Sequence, residues 1–304
     1  MRTSLRVLFA VDGSECSTAM IRCWSAWRGA ADGAPSALLL TVVPPPLHVW
    51  PASGFDPGLI DEALRSVGHQ RLADAEWLMR ESRVPWEFCV RIGAPAETIV
   101  EEARRRGVDL IVMGTRGLSA LRGLLVGSVA LRVAQASPIP VWLMPPNARC
   151  PAELGRCMKL LVAVDGSEAS NQAAAWAARV APAFGDCCIE LISVRPELGP
   201  VGAALGVPGD TTQNWGEGLG RAAIDAARAA MGDAGSKAAF HLVQGNVVAA
   251  LCQAASQTEA DAIVIGPRNL GALGKATLGS VSSALLQMAA CSVIVVRGDG
   301  DSRN

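Results

Sequence analysis

Gly114-Thr115-Arg116-Gly117, followed after nine positions by Gly127-Ser128, has residue types and spacing suited to a phosphate chain. Gly114 ends a short apolar run and lets the backbone leave a sheet in a tight turn. Gly117 permits close backbone approach or a positive φ, and Gly127-Ser128-Val129 opens a helix expected to run to about Ala136. Backbone N–H groups at that helix start face an anion, each favourable charge there contributing ~0.3–1 kcal/mol. Arg116 either reaches a phosphate oxygen or stands in solvent. The arrangement returns as Gly266-Pro267-Arg268-Asn269 and, nine positions on, Gly279-Ser280-Val281. Asn269 replaces the second glycine. Asparagine tolerates the left-handed conformation, so the turn survives, but its side chain crowds a phosphate and makes the first site the stronger candidate. Glycines also serve any tight strand-to-helix turn, so the pattern alone does not decide the chemistry.

Two aspartates stand in comparable places. Asp12 and Asp165 each end the first apolar run of a half and precede a helix, so each carboxylate either accepts from a ribose hydroxyl or base amine, or caps the helix that follows. No base, nucleophile or metal-binding acid accompanies the glycines, which argues against dedicated hydrolysis.

These residues need a scaffold that repeats. Asp12 pairs with Asp165, Val42 with Val194, Gly93 with Gly245, Asp109 with Asp261, Gly114 with Gly266 and Gly127 with Gly279, at a near-constant offset of one domain length. Each half alternates strands and helices. In the first, strands are expected at about Arg6 to Val11, Ala37 to Val43, Trp86 to Arg91, Leu110 to Met113 and Pro140 to Met144, with continuous aliphatic runs that indicate burial on both faces. Asp61 to Arg83 reads as a helix burying Leu64, Val67, Leu72, Ala75, Leu78 and Met79. The fold class is therefore α/β, with two tandem doubly wound five-stranded parallel-sheet domains of flavodoxin-like or Rossmann-like order, over residues 1–148 and 156–298. A proline-rich linker, Pro145 to Pro151, separates them. Pro44 to Gly58 and Arg195 to Gly216 read as long loops at strand carboxyl ends, where ligands bind in such sheets.

Composition excludes other classes. The chain has 304 residues, 50% hydrophobic and 18% charged, with a net charge of −1, which argues against a nucleic-acid partner. Its apolar runs are far shorter than the ~20 residues a membrane helix needs, and no cleavable leader is legible at the N-terminus, so no membrane association and a cytoplasmic location are expected. Nine cysteines without C-x-x-C spacing fit reduced thiols.

The motif resembles the universal stress protein family, whose nucleotide-binding members carry G-x2-G-x9-G-[S/T] after the fourth strand. The first half matches in Gly114, Gly117, Gly127 and Ser128, and the second in Gly266, Gly279 and Ser280. The resemblance implies that Asp12 and Asp165 contact the nucleotide and that Val42 and Val194 meet adenine through their backbones. It further implies ATP as ligand, carried with Mg2+, a regulatory rather than enzymatic role, packing of the two domains as an intrachain pseudo-dimer, a homodimer and a regulatory protein partner. Two alternatives stay open: a scaffold with vestigial sites, and an adenylating or ATP-hydrolysing enzyme. The phosphate loop of adenylating enzymes is replaced here by Val11-Asp12-Gly13-Ser14-Glu15.

Overall fold

A computed structural model describes residues 5–25, 35–46, 56–82, 84–117, 126–148, 150, 155–195, 209–267 and 278–297. They divide into two compact units, Met1–Pro146 and Asn147–Asn304. In the first, β1 (Arg6–Ala10), α1 (Glu15–Ser25), β2 (Ser36–Val43), α2 (Pro57–Arg80), β3 (Trp86–Ile92), α3 (Pro95–Arg106), β4 (Leu110–Gly114), α4 (Ser128–Ala136) and β5 (Val141–Met144) alternate. The strands are all parallel, in the order β3-β2-β1-β4-β5. Of the two doubly wound orders expected, this is the Rossmann-like one. The chain lays β1, β2 and β3 outward in one direction, then returns to place β4 and β5 on the other side of β1. Strand order thus reverses between β1 and β4, and a crevice opens at their carboxyl ends.

Burial explains the parallel arrangement. Val7, Leu8, Phe9, Leu110 and Ile111 have no exposed surface, so both sheet faces are covered. Each such side chain contributes ~1.5–3 kcal/mol by burial, which makes β1 and β4 the rigid floor beneath the loops. Glu87 and Phe88 on β3 are exposed, as suits an edge strand.

Two helices depart from their sequence reading. α2 begins at Pro57 rather than Asp61, because Asp56 caps it by accepting from the Gly58 N–H at 2.9 Å and Pro57 occupies the first turn. Val67 faces solvent; the buried position is Gly68, where a side chain would collide with Val90 and Thr41. Helix α2 therefore lies against β2 and β3 closely enough to exclude a Cβ.

In the second unit, β6 (Met158–Ala163), α5 (Glu168–Val180), β7 (Cys187–Arg195), α6 (Gly209–Met231), β8 (Ala239–Gln244), α7 (Val247–Gln257), β9 (Ala262–Ile265), α8 (Ser280–Met288) and β10 (Ser292–Val295) repeat the pattern, in the order β8-β7-β6-β9-β10. The glycine-rich run expected as loop to Gly216 is helical from Gly209 onward. Gly220, the repeat of Gly68, explains why: a Cβ there would sit 2.9 Å from Leu242. These glycines admit the sheet rather than break the helix.

Candidate functional site

The crevice of the first unit is built from strand ends. The Val11 N–H donates to the Leu40 carbonyl at 2.8 Å, the last bond between β1 and β2, while on the other side Gly93 N–H donates to the Val43 carbonyl at 3.1 Å. Peptide groups along a strand alternate in direction, so Leu40 and Val42 face β1 and Val43 faces β3. Beyond Asp12 the β1 chain has turned away. The N–H and C=O of Val42 therefore open onto the crevice. In the second unit Val164 N–H donates to the Ile192 carbonyl at 2.9 Å, which leaves Val194 in the same position.

Asp12 shapes the turn that follows β1. Its Oδ1 accepts from the Ser14 N–H at 3.0 Å and from the Ser14 hydroxyl at 2.6 Å, across Gly13 at φ +83°. Asp165 Oδ1 does the same with Ser167, at 2.9 and 2.5 Å. The helix cap itself is the serine: Ser17 N–H donates to Ser14 Oγ and Ser170 N–H to Ser167 Oγ, each at 3.3 Å. So the aspartates do not cap α1 and α5 directly. The other oxygen of Asp12, Oδ2, lies so close to Gly117 that a Cβ there would overlap it. Gly117 has no positive φ, so of its two expected roles close approach is the one observed.

The glycine loop is closed at its base. Thr115 N–H donates to the Met144 carbonyl at 2.8 Å, and Gly127 N–H donates to the Thr115 carbonyl at 2.7 Å. Gly127 then caps α4 with an extended backbone and no side-chain acceptor. Asp56, Ser167 and Asn246 supply such acceptors to α2, α5 and α7. At α4 no cap side chain serves the first-turn N–H groups among the described residues, and Ser128, Val129 and Ala130 line a cleft of about 480 Å³ with Asp12, Val42 and Gly114. That size lies in the range of small-molecule sites, ~300–1,000 Å³.

Three features of the cleft were not singled out in the sequence. Arg71 lines it from α2, together with the exposed Arg116, so two cations share the cleft with Asp12. Thr115, which lines the cleft, is 5% exposed, and its hydroxyl has no hydrogen-bond partner among the described residues. Ile99 and Met113 supply an apolar wall. The threonine stood inside the glycine motif and was legible there. Arg71 was not, because the helical pattern assigned it only to a polar face. Beneath the loop, Cys16 Sγ lies where a Cβ on Gly114 would meet it at 2.6 Å, and burial pushes this thiol up from its ordinary pKa.

The second unit keeps part of this apparatus. Gly279 opens α8 without a side-chain cap, leaving the N–H groups of Ser280 and Val281 in the roles of Ser128 and Val129. Gly266 is pressed against the backbone of Ala169 and Ser170. Pro267 stands where Thr115 does and offers neither N–H nor hydroxyl. Gly166 lies beside Ala223 as Gly13 lies beside Arg71, so the cation from the long helix is lost. Arg268 and Asn269 fall outside the described residues. Among the described residues no three His, Cys, Asp or Glu side chains gather as metal ligands, and no helix is long and apolar enough to cross a membrane.

Fold and crevice together define a doubly wound α/β protein, with the same strand order in both units and a cleft at the strand ends of the first. The model of the universal stress protein family matches residues 4–145 and again 157–297, and the chain belongs to that family. Universal stress protein YxiE of Bacillus subtilis is 38% identical over 88 residues, 28% of this chain and 60% of that protein. Stress response protein NhaX of the same organism is 30% identical over 105 residues, 34% of this chain and 60% of its own length. A match thus spans about three fifths of either relative. The solved universal stress protein from Archaeoglobus fulgidus shares the fold over 97% of each chain, with a TM-score of 0.67 and 21% identity.

Proposed function

We propose that this chain is a stress-response protein that binds an adenine nucleotide, ATP in the first instance, in the cleft of its first unit. The observation that carries the reading is the uncapped α4 N-terminus facing the same cleft as the unpartnered Thr115 hydroxyl and the outward peptide of Val42. The N–H groups of Ser128 and Val129, with Thr115, Arg71 and Arg116, hold phosphates; Asp12 receives a ribose hydroxyl; Val42 offers adenine a donor and an acceptor beside Ile99 and Met113. Among the described residues Asp12 is the one carboxylate lining the cleft, so Mg2+ would be held chiefly by phosphate oxygens.

Gly114 and Gly117 shape the loop that carries these groups, since a Cβ on the first would collide with Cys16 Sγ and one on the second with the Asp12 carboxylate. The cleft binds and orients without a positioned base, and the role is regulatory rather than enzymatic: occupancy biases the neighbouring loops toward a partner-binding state, in a cytoplasmic homodimer. A thermal melt of the full chain with Mg-ATP tests it. Nucleotide at 100 times its Kd stabilises the unit it fills by about 2.7 kcal/mol, and a melt that does not move up to millimolar nucleotide sinks the reading.

A further inference from the structure

The second unit holds a pair of thiols with no part in the nucleotide cleft. Cys157 Sγ lies 3.4 Å from Cys188 Sγ, at the amino ends of β6 and β7 and thus at the opposite end of the sheet from Asp165. Cys188 is exposed and Cys157 partly so. Cysteine used for packing behaves as a small hydrophobe and belongs inside. This pair is at the surface.

The internal repeat provides a control. Lys159 pairs in register with Cys188, as Arg6 pairs with Ser36 in the first unit. Cys188 therefore occupies the place of Ser36, and Cys157, two residues before Lys159, that of Ser4. One repeat carries serine at both positions and the other cysteine at both. Cys187, next along β7, projects from the opposite face of the strand, and burial pushes its thiol up to about 12. It is excluded from the pair.

We propose that Cys157 and Cys188 form a reversible disulfide when the protein meets a hydroperoxide, making the second unit a thiol-oxidation site. The Cys188 thiolate attacks a peroxide oxygen: an S–O bond forms, the O–O bond breaks, and the departing hydroxide takes a proton to become water. The Cys157 thiolate then attacks the sulfenic sulfur; the S–S bond forms, the S–O bond breaks and a second water leaves. Two electrons pass from the sulfurs to the peroxide, and both thiol protons end in water.

The geometry favours closure by this route. A disulfide needs S–S near about 2.05 Å, so the sulfurs must approach further. Cys188 is fixed in β7, but Cys157 precedes β6 and follows Gly155, whose φ is +63° and whose surroundings are open. That approach is the side on which the chain can give. Its counterweight is Arg156, which donates to both Asp261 oxygens, at 2.9 and 2.5 Å. The hydrogen bond with Cys157, burial and the Cys157 and Glu190 charges together hold the Cys188 thiol above its ordinary pKa, with the Lys159 ammonium only partly offsetting them. The result is a slow, reducible pair rather than a constitutive bond.

The test is a thiol count and peptide map of the full-length reduced protein, before and after brief exposure to hydrogen peroxide. Free thiols are expected to fall from nine to seven and to return to nine with dithiothreitol, with the tryptic peptide of Cys157 joined to the one that carries both Cys187 and Cys188, and fragmentation of the linked peptide between those two residues placing the bond on Cys188. Cys157→Ser or Cys188→Ser, each the residue of the first repeat, abolishes the link; Cys187→Ser leaves it intact. A count that stays at nine, a bridge through Cys187, or conversion of both thiols to sulfinic acid without a link overturns the proposal. The map of the unsubstituted protein decides this even if a serine variant fails to fold.

Discussion

Replacing Thr115 by valine separates the contribution of its hydroxyl to binding from its effect on the fold. The side chain is 5% exposed, its N–H and C=O are engaged by Met144 and Gly127, and only Oγ1 lacks a partner. An unsatisfied buried polar group costs about 1–3 kcal/mol, so Thr115→Val is expected to leave the unliganded first unit unchanged or more stable by about 1 kcal/mol. For a unit of this size, that is a rise of about 2–4 °C in melting temperature. Nucleotide affinity moves the other way. A neutral hydrogen bond contributes about 0.5–1.5 kcal/mol net, hence a loss of about two- to tenfold in Kd. Urea melts of the free protein and calorimetric titration with Mg-ATP read the two signs separately. If the variant is destabilised by more than about 1 kcal/mol, the hydroxyl already has a partner in the free protein. If affinity is unchanged, the hydroxyl does not meet the ligand, and either result refutes the argument.

Gly117→Ala is expected to weaken nucleotide binding about tenfold or more and to lower the melt of the free protein modestly, because a Cβ there displaces the Asp12 carboxylate that holds the Ser14 turn, without backbone strain. Arg71→Ala, which installs the residue found at Ala223, should cost about 10- to 100-fold in ATP affinity and little for adenosine, with a shallower salt dependence in titration. Glu102 is buried against Arg91 at 2.8 Å and Arg105 at 2.6 Å; burial alone would raise its pKa, but these two guanidiniums outweigh that and hold it below the ordinary 4.5. Its contribution is therefore complete above the unfolded value and lost as pH falls through the lower folded one. Glu102→Gln should cost about 1–2 kcal/mol at neutral pH, less than a fully buried pair because Arg105 is half exposed, and flatten the acid limb of denaturation curves.

Alternating aliphatic runs and anchors at one repeat distance made the β/α order legible, since strands buried on both faces write continuous apolar stretches. The order β3-β2-β1-β4-β5 is not written that way; it depends on which side each crossover returns. Glycine was the least reliable local signal. In α6 the helix runs through Gly216, against Arg195 of β7, and Gly220, against Leu242 of β8, because contact with the sheet outweighs the ~1 kcal/mol propensity cost, an effect that local reading cannot see. Arg71 escaped for a related reason. Its pattern marks a solvated helix face, and only the packing of α2 beside Gly13 brings that face to the strand ends. Thr115 differs: its neighbours announced a site, but its burial without a partner is a tertiary fact.

The two copies differ at positions proposed to meet the nucleotide and agree at those that hold the frame of the crevice. The Asp165-Ser167 turn repeats that of Asp12 and Ser14, and the bare start of α8 repeats that of α4, so the second crevice retains its frame. The exchanges of Thr115 for Pro267 and Arg71 for Ala223 remove a hydroxyl and a cation, neither of which the frame requires. Drift from a shared nucleotide site would produce that pattern, because a frame without its ligand groups still folds. Ser4 and Ser36 against Cys157 and Cys188 is a paired exchange, in which one cysteine alone would gain nothing from its neighbour, and it stands beside the exchange of Pro35 for Cys187. On this reading the second unit has exchanged part of its anion site for chemistry at the opposite end of its sheet.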